Sequence, residues 1–241
     1  MENSKSQSSV EINSIKFGFY ISIITAILTI VTFGIAVCTP PLSGPFCKEN
    51  CFEYPFLDIA SRFPRDYFWM YPAIILSFSY LVMMISLHHI TSSEKKLYSS
   101  IAIAFALMSS LILSVDYFIQ VSVIQPSVLA GETDGIALLT QFNPHGIFIV
   151  LEEIGFLLMS ISFFSLIPVF NGKNSLEKSI KWTAIIGFAF TILSLIAISF
   201  SFGINREYRF EVTVISIVWL ELIVIGILFS RYFLKIKKLY I

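Results

Sequence analysis

Four carboxylates stand inside apolar stretches of this chain: Asp116 in one, the adjacent Glu152 and Glu153 in a second, and Glu221 in a third. An acid at the centre of a bilayer costs roughly 2.5 to 3.5 kcal/mol on insertion scales, so such residues face a bundle interior or a watery cavity. There they can hold a cation or an amine, pass protons, or act as general acid and base. Spacing sharpens the picture. At about 100° per residue, Asp116 and Gln120 share one helical face, and His145 and Glu152, seven residues apart, share another. Glu153 points about 100° away from Glu152 by the same rule. Counting about 1.5 Å per residue from the ends of the apolar stretches, all four acids fall in the same half of the membrane, about 8 to 14 Å deep. The ligand-pocket set read from the sequence is therefore Asp116, Gln120, His145, Glu152, Glu153 and Glu221. The competing reading is structural: acids in membranes also hydrogen-bond to Ser or Thr on neighbouring helices and hold a bundle together.

Histidine placement excludes some chemistry. His88 and His89 close the second apolar span and His145 precedes the fourth, at the opposite side, so neither a three-His zinc site nor bis-His haem ligation fits. The acids alone are suited to Mg²⁺, Mn²⁺ or Ca²⁺, but no metal is assigned, and nothing in the sequence names a cofactor. No Walker loop, nucleophile elbow or glycine-rich dinucleotide fingerprint is present. Cys38, Cys47 and Cys51 all lie in one loop rich in Pro and Gly. An oxidising exterior permits a staple there, with Cys38 expected to join Cys47 or Cys51.

The elements that must position these groups are membrane spans. The 241 residues are 56% hydrophobic and 13% charged, with a mean hydropathy of +0.82, outside the range of soluble domains. Six runs are long enough to cross a hydrocarbon core as helices: 17–37, 68–90, 97–124, 147–170, 182–204 and 212–234. Barrel strands would be shorter and would alternate. The expectation is an all-α integral membrane protein, one six-transmembrane-helix bundle over residues 1–241. The polar stretch before Phe17 and the absence of a convincing cleavage site read as a retained first helix rather than a signal peptide.

Lys and Arg favour cytoplasmic loops. Lys5, Lys16, Lys95, Lys96, Lys173, Lys178, Lys181, Arg231, Lys235, Lys237 and Lys238 fall on one side, against Lys48, Arg62, Arg65, Arg206 and Arg209 on the other. Both termini are thus expected in the cytoplasm of a plasma-membrane protein, with the long loops 38–67 and 125–146 outside. Small residues at helical spacing in the first span (Gly18, Ser22, Thr25, Thr29, Thr32) and the fifth (Ala184, Gly187, Thr191) predict packing seams and interhelical hydrogen bonds. Asn143 and Pro144 predict the start of the fourth helix as N-cap and first residue. Residues 131–142 read as a turn and a short interfacial helix over the pocket.

The function this supports is binding or transport of a small cationic or amine-bearing solute in an outward acidic pocket, with proton coupling open to it. Alternatives are a membrane-embedded enzyme acting on a lipid or isoprenoid by carboxylate and His chemistry, and a structural subunit of a membrane assembly. Partners are the bilayer and a small solute or lipid. No basic cluster suggests nucleic acid.

Overall fold

The computed structural model describes residues 2–238, with side chains from Ile12 onward. Its α-helices are α1 (Glu2–Val37), α2 (Met70–His89), α3 (Lys96–Ile119), α4 (Gln125–Ala130), α5 (Ile136–Leu139), α6 (Ile147–Ser165), α7 (Ser175–Phe202) and α8 (Glu207–Lys237). Six stretches are long and apolar enough to cross a membrane: Ile12–Val37, Arg65–His89, Ser93–Ala130, Ile147–Val169, Ser175–Asn205 and Glu207–Lys237. Among the described residues there is no strand. The protein is all-helical, as its long unbroken apolar runs require.

Helices α1, α2, α3, α6 and α8 pack into a closed ring in that order, with α8 returning against α1. Helix α7 leans on the outside, mainly against α8 and less against α6. Small residues let the ring close. Gly18 of α1 lies under the Phe233 ring, Gly155 of α6 under Leu113 of α3, and Gly226 of α8 against Ala26 and the Ser22 carbonyl of α1. A methyl at Gly18 would sit 2.3 Å from the Phe233 ring, so no side chain fits there without displacing it. The hydroxyls of the α1 stripe do not bridge helices, however. Ser22, Thr25 and Thr29 each donate to the carbonyl four residues back, at 2.7 to 2.8 Å. That satisfies them within their own helix and leaves the seam to close packing. Interhelical bonds occur elsewhere: Ser109 donates to the Gly155 carbonyl (2.7 Å), Ser110 to the Ser77 carbonyl (2.9 Å), and Tyr80 pairs with Ser162.

The third span runs past Ile124. One π-helical turn, Gln120–Ile124, is closed by the Gln125 N–H donating to the Gln120 carbonyl, and α4 carries the helix on until Gly131, at φ 78°. The reason is local. Pro126 has no N–H to donate and its ring would press on the Ser122 carbonyl in a regular helix, and the wider turn before it relieves that clash.

The segment between α4 and α6 contains the expected short helix, α5, entered through Gly135 at φ 77°. Helix α6 begins after Gly146, which is its extended N-cap, so Asn143 does not cap it. Asn143 instead closes the preceding turn, accepting from the His145 N–H (3.0 Å) and donating to the Ala137 carbonyl (2.6 Å). At the α1–α2 loop the disulfide joins Cys47 to Cys51, with Cα atoms 5.9 Å apart, and Cys38 is free and exposed. The expected partner, Cys38, sits just beyond the last turn of α1. The five-residue loop closes on itself because Asn50 adopts φ 53° and so reverses the chain.

Candidate functional site

Glu211, Ile215 and Trp219 recur every four residues on α8 and therefore share one face. That face borders a cavity of about 350 Å³ at the end of the bundle that carries the long loops. The size lies within the usual range for small-molecule sites. Its walls are largely apolar, with Phe33, Trp69, Phe142, Phe148 and Trp219 among them. Trp219 is the hub, with ring centroids 5.5 Å from Phe33 of α1, 6.2 Å from Trp69 and 5.8 Å from Phe156 of α6. Phe142, from the segment after α5, and Phe148, from the first turn of α6, complete the wall, and Pro40, Pro41 and Leu42 of the α1–α2 loop form the roof.

The polar groups of the cavity differ in how they are compensated. Asp66 is buried but accepts two hydrogen bonds from Arg62, at 2.7 and 3.1 Å. Its bond to Arg62 outweighs the opposing effect of partial burial on the guanidinium, and the carboxylate charge adds to it, so the Arg62 pKa is raised. Glu211, also buried, has no basic partner among the described residues, and its Oε2 makes no hydrogen bond. Its carboxyl lies within electrostatic range of that of Glu152. Glu152 Oε1 accepts from the Tyr117 hydroxyl at 2.8 Å, while Oε2 is unpartnered. Asp116 lies within electrostatic range of Glu152, with an unpartnered Oδ2. Two buried carboxyls side by side crowd negative charge, an arrangement that a positive ligand would relieve.

The structure brings Asp116 and Glu152 together behind the cavity wall and separates the other expected members. Gln120 donates to the Leu139 carbonyl (2.6 Å) and accepts from the Gln141 N–H (3.0 Å), so it ties down the segment over the cavity. Glu153 turns from Glu152, as the helical phase predicts, and pairs with Arg206 at 3.0 Å. His145 precedes the helix, so helical spacing does not set its direction. Its side chain is 60% exposed and outside the cavity lining, with Nδ1 3.6 Å from Glu207. Glu221 faces α7, where its Oε2 would lie 2.2 Å from a methyl at Gly187, and neither of its oxygens is hydrogen-bonded.

Sequence reasoning missed Glu211 and Asp66. Both stand one or two residues outside the apolar runs, which begin at Phe68 and Val212, so hydropathy alone groups them with the loops. The four-residue recurrence from Glu211 to Trp219 is the signal that extends α8 and places Glu211 on an aromatic face. Among the described residues no three His, Cys, Asp or Glu side chains are arranged to hold a metal ion. No protein-family model matches the chain, and neither the curated proteins nor the solved structures contain a match.

Proposed function

We propose that this is a multi-pass plasma-membrane protein, with both termini in the cytoplasm and the long loops outside, whose outer cavity binds an organic cation. The basic residues gathered at the short-loop end support this orientation, and so does a disulfide in the α1–α2 loop, which suits an oxidising exterior. The observation that carries the cation reading is Glu211: a buried carboxyl with no basic partner, set against another carboxyl in a wall of Trp and Phe rings. A hard metal ion would ask for six or more oxygens. An ammonium group asks for one carboxylate and aromatic faces, each face contributing about 0.5 to 2 kcal/mol once desolvated. The cation settles against Glu211 and the Trp69 and Trp219 rings, and its charge offsets the crowding of Glu211 and Glu152. The alternative of an enzyme, with Glu152 or Asp116 as acid/base and His145 as partner, draws less support, since His145 Nδ1 lies 3.6 Å from Glu207.

Benzyltrimethylammonium, a quaternary cation with no proton of its own, tests the reading on the full chain in lipid nanodiscs. Binding followed by tryptophan emission should saturate in the wild type. It should weaken more than tenfold in Glu211→Gln, which keeps shape and removes charge. Equal binding by the two proteins would overturn the reading.

A further inference from the structure

The rim of the cavity divides its lining by exposure in an informative way. The polar liners are all covered to some degree: Asp66 and Glu211 are buried, and Thr39, Gln141, Tyr208 and Ser216 are half-buried. Every exposed liner is apolar, namely Val37, Pro40, Pro41, Phe46 and Val212. Two of these flank a single seam. Val37 ends α1 and is 70% exposed; Val212, on the second turn of α8, is 39% exposed; half-buried Ala36 and Ser216 lie beside them. The α6 wall is closed, with Phe148 and Ile149 each no more than 2% exposed. Val212 lies one turn farther along α8 than Arg209, a half-exposed cation whose guanidinium stacks on Phe202 at 4.3 Å. A solute arriving from water would meet mainly apolar side chains at such a mouth, with Thr39 and Ser216 half-covered beside them. A chain already dissolved in the leaflet would meet its own kind of surface, and an acid one step inside.

Resting on the organic-cation reading above, we propose that the cavity admits its ligand sideways, through the seam between the last turn of α1 and the first turns of α8, and that this ligand is a single-chain amphiphile with an ammonium head. The head lies between Glu211 and the rings of Trp69 and Trp219. The tail stays in the seam and the surrounding lipid, so its length is not limited by the volume of the cavity. Charge selects the head, because Glu211 and Glu152 have no basic partner among the described residues while Asp66 is already paired with Arg62. An anionic amphiphile of equal length is rejected by the same carboxyls.

The test uses the full chain in nanodiscs and a series of alkyltrimethylammonium probes from butyl to dodecyl, with dodecanol and benzyltrimethylammonium as references. Each added CH₂ raises membrane partitioning about fourfold, the equivalent of about 0.8 kcal/mol. Apparent affinity on the aqueous scale should therefore rise about 10⁴- to 10⁵-fold over the eight added CH₂ groups and become flat when expressed per mole fraction in the membrane. Glu211→Gln should lower dodecyltrimethylammonium binding more than tenfold, and Glu211→Asp, which keeps the charge on a shorter arm, should restore part of it. A diazirine beside the head of the dodecyl probe should label peptides containing Val37 or Val212. If benzyltrimethylammonium binds through Glu211 but affinity falls as the chain lengthens, lateral admission is overturned and the cation site stands. If no cation depends on Glu211, the cation site itself fails. If dodecanol binds as well as dodecyltrimethylammonium, the site reads only the chain and the proposal is again overturned.

Discussion

Gln120 offers the most direct test of how the cavity is covered. Its amide holds the segment after α5 through two bonds, Nε2 to the Leu139 carbonyl at 2.6 Å and the Gln141 N–H to Oε1 at 3.0 Å. Gln141 and Phe142 line the cavity, so release of this segment uncovers it. A net contribution of about 1 kcal/mol per bond gives about 2 kcal/mol for the clasp. At 1.4 kcal/mol per tenfold, its loss should favour local opening by about 30-fold. Gln120→Met keeps length and volume and removes both bonds. Hydrogen exchange in nanodiscs, resolved at the Gln141 amide, should accelerate by that factor, while amides in the middle of α6 exchange as in the wild type. Gln120→Ala should give the same acceleration if the bonds matter, and a larger one if packing does. Exchange at Gln141 within threefold of the wild type in a folded Gln120→Met protein would refute the clasp.

Other outcomes follow from single contacts. Gly187→Ala should destabilise the α7–α8 contact by about 1 to 3 kcal/mol, because the new methyl meets the Glu221 carboxyl at 2.2 Å, and Glu221→Ala in the same chain should restore thermal stability. Arg206→Ala strands the buried Glu153 and should cost about 1 to 3 kcal/mol in chemical unfolding, whereas Glu153→Gln with Arg206→Ala should lie closer to the wild type. Peptide mapping without reductant should recover Cys47 and Cys51 as one linked peptide. A membrane-impermeant maleimide added to intact cells should modify Cys38, and failure to do so would invert the proposed orientation.

The six spans were legible because membrane crossing imposes a long apolar run that no soluble helix needs, and the grouping of Asp116 with Glu152 was legible because helical phase and depth are linear in residue number. What was lost lay where those rules stop. His145 was given the phase of a helix that begins only after Gly146. Glu211 was given to a loop because the apolar run of the last span starts one residue later, although the helix starts at Glu207. Glu221 shares its helix with Glu211, but ten residues turn it by about 80°, so it looks at α7 rather than at the cavity. The Cys47–Cys51 bond depends on the left-handed backbone at Asn50, which composition does not announce.

The π turn at Gln120–Ile124 also has a meaning for register. A regular helix would spend about 3.6 residues on that turn, and this one spends about one more. The spare residue acts as slack between two rigid pieces: α3, which carries Asp116 and Tyr117 into the core, and α4, which leads to the segment over the cavity. Removing one residue within the turn would let the helix run on without interruption and would swing everything beyond it by about 100°. The acids would stay in place while the cover lost its alignment. The position of the charge and the fit of the cover are thus set by two independent rotations along one continuous rod.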